Sequence, residues 1–439
     1  MKIQFYGAAQ RVTGSKHLIT TKRGTKILLD CGLFQGIGTT ELNLTFGFDP
    51  KEVDALVLSH AHIDHTGLVP RLVRQGFSGP IYATPATKDL CQIMLLDSAH
   101  IQQKDLERIN ERRRKRKQEE LEILYEEKDV ETAMKLFREV SYHTPFVIEE
   151  GVTAEYYDAG HILGSAGIFL KFEEEHYTQK LFFTGDIGRP NDKILRSPEA
   201  FPQADYIICE STYGNKLHEP EADMKAHLLR IVHETCVEKR GKVIIPAFAV
   251  DRTQELIFAL DQLEAEGRLP AIPVYVDSPL SVKATRVMQD HEEDFNPDIL
   301  KYIHKDGDAF DFPTLHYITE VEQSKALNSK KEPCIIISAS GMAEAGRIKH
   351  HIANNVENPR NTILIVGYCS PESLGHALKT GAADYNEIIQ HLSCQNIPKV
   401  KRLFLVHGEI DNQRAFKDRL EKVGFGHVEI PAHGDGFEL

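Results

Sequence analysis

No stretch of this 439-residue chain is apolar for the ~20 residues that a helix needs to cross a bilayer. The longest apolar stretches, such as Val243 to Val250 with Pro246 inside it, are far shorter, so no membrane-embedded helix is expected. The opening residues reach Gln10, Arg11 and Lys16 before the ~7–15 apolar residues of a secretory signal can accumulate, and the expected compartment is the cytoplasm. Cysteine is sparse: Cys31, Cys91, Cys209, Cys236, Cys334, Cys369 and Cys394 stand singly, with no C-x-x-C pair and an odd total of 7. That excludes a disulfide framework and a Cys-based zinc knuckle. Positive charge is in deficit too, with 52 Lys and Arg against 65 Asp and Glu, a net −13. Such a balance argues against non-specific coating of nucleic acid, but it describes the far field and leaves room for a local basic groove. What remains is an ordinary globular composition, 27% charged and 41% hydrophobic, sized for two or three domains.

The first stretch reads as short strands joined by tight turns: Lys2 to Tyr6, Lys16 to Thr20, Lys26 to Asp30 and Ala55 to Ser59, with Gly7, Gly14, Gly24 and Gly32 as breakers. Helical spacing begins near Leu68 to Arg74, and a further helix opens at Thr84 and runs through Leu95. Residues 99 to 140 are highly charged and helical in composition, and include the run from Arg112 to Lys117, six consecutive cations followed by Glu119 and Glu120. A solvated helix with Glu/Arg pairs is the preferred reading there, and an RNA-binding arm is the other. Strands return at Thr153 to Asp158, Gly167 to Glu173, Lys180 to Thr184 and Tyr206 to Cys209. After about residue 211 the pattern becomes strand, turn, helix, repeated: Lys242 to Pro246 then Thr253 to Glu266, Pro273 to Val276 then Val282 to His291, and Cys334 to Ser338 then Glu344 to Asn354. That alternation predicts a second, α/β domain built on a parallel sheet. Arg402 to Val406, Asn412 to Val423 and Val428 to Pro431 read as one more βαβ return.

The strongest chemical signal is Ser59-His60-Ala61-His62-Ile63-Asp64-His65-Thr66-Gly67, directly after a buried strand. On extended chain, residues i and i+2 project to the same side, so His60 and His62 can share one metal while a turn carries Asp64 and His65 toward a second. More ligands are then required, and three strand ends beside glycine offer them: His161, Asp186 and His407. Asp30, just before Cys31-Gly32, is a further carboxylate that can orient a ligand or a metal-bound water. Nitrogen and oxygen donors without thiolate suit zinc, with manganese or iron as alternatives.

These residues together resemble the metallo-β-lactamase superfamily, and the pieces after residue 209 resemble its β-CASP branch of nucleic-acid hydrolases. The matching stretches are Glu210-Ser211-Thr212-Tyr213-Gly214, Pro246 to Glu255, Asp277-Ser278-Pro279-Leu280 and Ser338-Ala339-Ser340-Gly341-Met342. The resemblance implies an α/β fold: an αββα sandwich in two parts, 1–210 and 383–439, with a β-CASP domain, 211–382, inserted as a cap over the site. It also implies two zinc ions, one held by His60, His62 and His161, the other by Asp64, His65 and His407, with Asp186 bridging them. Asp64 would be both ligand and acceptor of the nucleophile's proton, and Glu210 matches the acidic residue at the start of the insert.

The family's general acid is a His in a motif reading roughly S-A-H-A, and here the chain departs from the pattern. After Gly375-His376-Ala377 to Ala382 it passes straight to Ala383-Asp384-Tyr385, without the longer segment that carries that His. Two readings stand, a true deletion and a disordered stretch left out of the numbering, and the second is preferred; His376 is a weaker substitute. In the insert, strand-to-helix turns bring Arg252, Ser340 and Arg347, with Lys283 and Lys349, near helix N-termini that attract phosphate, although Asp251, Asp277 and Ser340 can equally serve as helix caps. Tyr213 and Phe248 are candidate base-stacking residues, with a core role equally open for Phe248. The leading expectation is a zinc-dependent ribonuclease on single-stranded RNA, with DNA as a further substrate and a homodimer as a family-level expectation. The alternatives are an RNA-binding protein with weak or no catalysis and a small-molecule metallo-hydrolase of the lactonase or thioesterase kind, which has no need of so large an insert.

Overall fold

The computed structural model describes residues 1–36, 38–174, 177–215, 224–343, 345–366 and 385–439. Contacts divide the chain into two compact units. The first comprises Met1–Asn191, Arg196–Leu217 and Ala383–Leu439; the second comprises Asp192–Leu195 and His218–Ala382. Thus the first unit continues a few residues past Glu210, and a four-residue piece ahead of it already belongs to the second. Among the described residues no helix is long and apolar enough to cross a membrane.

The first unit is an αββα sandwich of two seven-stranded sheets. One sheet runs Gly436–Glu438, Lys2–Gly7, Lys16–Thr20, Lys26–Leu29, Ala55–Val57, Ile81–Ala83, Phe137–Glu139 in spatial order. The other runs Val428–Glu429, Arg402–Val406, Tyr206–Glu210, Tyr177–Phe183, Ala166–Glu174, Val152–Asp158, Phe146–Glu149. Their inner faces share one core, in which Ile3, Phe5, Ile19 and Leu29 meet Tyr156, Leu170, Phe183 and Phe404. Strand Val152–Asp158 alternates buried and half-buried residues along its length, the signature of one covered face. Strand Tyr206–Glu210 is buried at every position, because Ile207 and Cys209 pack outward against Leu392, Phe416 and Leu420 of two helices. Full burial of such side chains stabilises by ~1.5–3 kcal/mol each.

The charged stretch differs from its sequence reading in extent. The helix opened by Thr84 runs unbroken as Pro85–Lys115, 31 residues, and Arg116 and Lys117 already lie in the turn beyond it. The chain then returns irregularly, tied by the Asn110 side chain, whose two ends hold the Leu121 backbone N–H and C=O at 2.9 Å each, before a short helix, Glu127–Met134.

The second unit is built on five parallel strands in the order Leu315–Tyr317, Val274–Val276, Cys334–Ser338, Lys242–Pro246, Thr362–Ile363. The three central ones are buried throughout, as crossover helices on both faces require. Helices Arg252–Ala265 and Pro279–Asp290 follow the first two of the expected repeats closely. The third helix starts at Ile348 rather than Glu344; ahead of it Ala343 and Gly346 take left-handed backbone at φ 59° and 75°, which no continuous helix can include.

Candidate metal centre

The first sheet ends where the metal-ligand motif begins. Strand Ala55–Val57 delivers Ser59 and His60 at its tip, and residues 63–66 wind into a single helical turn whose N–H groups at His65 and Thr66 bond to the His62 carbonyl at 2.9 Å. The motif is stitched to the neighbouring loop: Ser15 N–H donates to the Asp64 carbonyl (2.8 Å), and Cys31 N–H to the His65 carbonyl (2.7 Å). Gly32 is required here by close approach, since a Cβ on it would stand 1.6 Å from the Asp64 carbonyl oxygen. The remaining residues arrive from the second sheet. Asp186 follows Gly185 after strand Tyr177–Phe183, and His407 follows strand Arg402–Val406 with left-handed backbone, φ 51°. His161 lies in the loop before strand Ala166–Glu174, its N–H bonded to Ser165 Oγ at 2.9 Å.

Seven side chains converge in two sets. His60, His62, His161 and Asp186 bring one ligand atom each within 4.8 Å of one another, as do Asp64, His65 and His407. In the first set His60 Nε2 and His161 Nε2 lie 3.1 and 3.3 Å from His62 Nδ1; in the second His65 Nε2 lies 3.1 Å from His407 Nε2. Those separations match the edge of a tetrahedral site with metal–nitrogen bonds of ~2.0–2.1 Å, about 3.3 Å. Asp186 faces both: Oδ2 is 3.6 Å from His161 and 3.8 Å from His60, while Oδ1 is 3.3 Å from His65 and 3.6 Å from His407. Buried Asp186 Oδ1 makes no hydrogen bond of ordinary geometry, and a cation is what would complete it. Donor set, spacing and orphaned oxygen all fit a pair of divalent metal ions.

Each of three imidazoles is fixed from behind. Asp30, fully buried, takes 2.8 and 2.9 Å bonds from Ser59 N–H and Oγ–H and one of 3.1 Å from Ser15 Oγ–H, and lies 2.7 Å from His65 Nδ1. Ser59 Oγ, its proton directed at Asp30, faces His60 Nδ1 at 3.1 Å. Thr212 Oγ1 donates to the His407 carbonyl at 3.0 Å and faces His407 Nδ1 at 2.9 Å. In all three cases Nδ1 faces an oxygen outside the centre and Nε2 faces into it, the arrangement that outer partners impose on metal-binding histidines. Sequence reasoning passed over Ser59 and Thr212, although both stand inside stretches it singled out.

Electrostatics follow the same geometry. Burial, reinforced by His65, holds His60 well below the usual histidine range, and burial takes His161 down to about 3, so both are neutral donors. Burial also opposes charge on His65, but the carboxylates of Asp186 and Asp30 outweigh it and push its pKa well up. Desolvation opposes the charge of half-buried Asp64, but the hydrogen bond to His407 and the charges of His65 and His407 outweigh it and hold its carboxyl below the usual range. Glu210 is pushed up to about 7 by burial and by the charge of Asp186. Its carboxylate accepts from Ile187 N–H (2.8 Å) and Thr212 N–H (3.3 Å), bracing the residue after Asp186 and the residue that holds His407.

In the second unit, Arg252 pairs with Glu255 at 2.5 Å, and Arg347 donates to Asp277 Oδ1 at 2.6 Å and to the Thr319 carbonyl at 2.5 Å. Ser340 Oγ exchanges 3.3 Å bonds with the main chain of Ala345. The capping expectation needs correction: Ser278, not Asp277, caps helix Pro279–Asp290, and Asp251 makes no capping bond. Asp277 instead gathers Arg347, His351 and Ser324. Tyr213 is buried, which removes it as an exposed stacking platform. The reading of an omitted stretch is also corrected, since the full sequence runs without a break from Ala382 to Ala383. His376 and the rest of 367–384 lie outside the described residues.

Family models match along most of the chain: a metallo-β-lactamase superfamily domain over residues 18–210, a Beta-Casp domain over 253–378, and a Zn-dependent metallo-hydrolase RNA specificity domain over 380–431. Among similar proteins, a ribonuclease of Thermus thermophilus is 35% identical over 375 residues, covering 85% of this chain and 81% of the relative. An RNase J-like protein of Methanocaldococcus jannaschii is 29% identical over 434 residues, 93% of this chain and 92% of the relative. The transcription termination factor FttA of Methanosarcina mazei is 30% identical over 390 residues, 87% of this chain but 58% of the longer relative. With two sets of metal-type donors at the ends of its sandwich strands, the chain belongs to the β-CASP branch of the metallo-β-lactamase superfamily.

Proposed function

We propose that the protein is a metal-dependent ribonuclease that hydrolyses phosphodiester bonds of single-stranded RNA with two zinc ions. The observation that carries this reading is the paired donor set, His60, His62, His161 on one side, Asp64, His65, His407 on the other, and Asp186 turned to both. The names of the relatives, a ribonuclease and an RNase J-like protein, point to RNA as the substrate. Bound there, two divalent ions supply Lewis-acid polarisation of a phosphoryl oxygen and make water acidic enough to attack at neutral pH. The chain's own part is positioning and proton handling. Asp30, Ser59 and Thr212 hold the imidazoles, and Asp64, kept ionised beside His407, is the carboxylate that takes the proton of the attacking water. Arg252, Ser340 and Arg347 serve as phosphate contacts in this reading, and each arginine must first give up its present carboxylate, Glu255 or Asp277.

A second reading, RNA binding without effective catalysis, is favoured by one observation: the segment expected to carry a general-acid His is absent between Ala382 and Ala383. Zinc-loaded protein incubated with 5′-labelled single-stranded RNA, beside a His62→Ala control and a matched DNA strand, separates the two. Cleavage products that vanish in the control support the ribonuclease; RNA binding with no cleavage despite about two zinc ions per chain establishes the second reading. Equal cleavage of the DNA strand widens the substrate class.

A further inference from the structure

The solvent face of helix Pro85–Lys115 carries Lys104, Arg108 and Arg112 at four-residue intervals, and Arg116 continues the row as the residue that closes the helix. All four are exposed. Residues four apart share a helix face about 6 Å from each other along the axis. Like charges at that spacing work against the helix, whereas a face that serves only solubility alternates its signs. Three acids lie among them: Glu107 accepts from Gln103 at 3.4 Å, Glu111 pairs with Lys115 at 2.7 Å, and Asp105 meets Arg108 at a long 3.8 Å between two mostly exposed side chains, so the cations outnumber the acids that face them. Lys104, Arg112, Arg116 and Lys117 form no ion pair among the described residues.

Their neighbours in the same run behave differently. Arg113 Nε donates to the Glu119 carbonyl at 2.5 Å, Arg114 pairs with Glu120 at 3.5 Å, and Lys115 with Glu111 at 2.7 Å. One group of cations therefore fastens the returning chain, already clamped by Asn110, and the other is left facing water on a fixed scaffold. On a chain of net charge −13, such a row is a local exception.

We propose that this row is a docking track for the phosphate backbone of single-stranded RNA, separate from the metal centre; the proposal rests on the ribonuclease reading. The hydroxyls of Thr84 and Thr87 donate to the Gly164 carbonyl at 2.6 and 2.8 Å, which anchors the start of the helix beside the loop that carries His161. At 1.5 Å per residue the row begins about 25 Å and ends about 45 Å along the helix from Thr87. At ~3.4 Å per nucleotide of a stacked strand, that distance corresponds to roughly 7–13 nucleotides, so long RNA reaches the row and very short RNA does not.

The test uses metal-loaded protein carrying Lys104→Gln, Arg108→Gln, Arg112→Gln and Arg116→Gln together, because Gln matches Lys and Arg in helix propensity. Binding is measured against unstructured RNAs of about 30 and about 5 nucleotides over a range of salt, with cleavage of the short RNA followed in parallel. We expect affinity for the long RNA to fall on the order of tenfold and the slope of log K against log salt to shrink by about 3. Cleavage of the short RNA should be unchanged, and the melting temperature unchanged or higher, since repulsion along the face is relieved. Unchanged affinity and salt slope on the long RNA overturn the proposal. So does loss of binding to an acidic peptide with RNA binding intact, which would make the row a protein-docking surface. If wild-type protein cleaves neither RNA while the variant still loses long-RNA affinity, the ribonuclease reading fails and the track stands.

Discussion

Thr212 and His407 are 195 positions apart, yet a single hydroxyl ties the imidazole both through Nδ1 and through its own carbonyl. Replacing Thr212 with Val keeps the shape and removes the bond, and is expected to lower metal affinity or activity about 10–100-fold, with Thr212→Ser restoring most of it. Metal titration followed by mass spectrometry of the intact protein reads the first effect directly; unchanged affinity in Thr212→Val would remove the positioning role. Asp30→Asn should behave similarly through His65, because the amide cannot stabilise that imidazole by charge. The convergent candidate donors were legible in the sequence because His60, His62, Asp64 and His65 crowd into six positions, and the other three sit at strand ends beside glycine. Ser59 and Thr212 were not, since what a hydroxyl does depends on which ring nitrogen it meets, and that is settled by the pairing of distant strands.

At the scale of elements, the strand-turn-helix alternation after residue 211 could be read from periodicity because the central parallel strands carry apolar runs, Val243 to Pro246 and Cys334 to Ile337, and their helices carry apolar residues at helical spacing. Helix limits were less legible: nothing in composition marks Lys115 as an end, and the clamp by Asn110 depends on a chain that folds back eleven residues later. Gly32 illustrates how an element is held to its neighbour. Gly32→Ala would drive a methyl into the Asp64 carbonyl, so the loop must move, and we expect both a lower melting temperature and loss of metal from the Asp64, His65, His407 set. In helix Arg252–Ala265, Asp261 is buried; burial, with the charges of Asp306 and Asp308 acting in the same sense, pushes its carboxyl up to about 7. Its folded pKa lies above the unfolded value of ~3.9, so its contribution is complete below pH ~4 and is lost as pH rises through about 7, by up to ~1.4 kcal/mol per pH unit. Melting curves of Asp261→Asn against wild type should show a flatter pH dependence over that window and a gain for the variant at pH 8.

For the whole molecule, candidate donors drawn from residues 60–65, 161, 186 and 407 tie the two sets to folding of the entire first unit. Chelation should lower its melting temperature, and readdition at 100 times the dissociation constant should restore about 2.7 kcal/mol; a melting temperature indifferent to chelator would argue that the sets are not metal sites. The order of assembly follows from the first sheet, in which strand Gly436–Glu438 lies against Lys2–Gly7. The opening strand thus waits for a neighbour made some 430 residues later, roughly 20–90 s at ribosomal speeds of ~5–20 residues per second. For most of that interval its edge is bare and His407 has not been made, so a nascent chain can be bulky and partly folded while the Asp64, His65, His407 set is incomplete. Synthesis itself therefore delays completion of the candidate centre until strand Arg402–Val406 and His407 have left the ribosome, and a chain stopped before them lacks one of the seven donors.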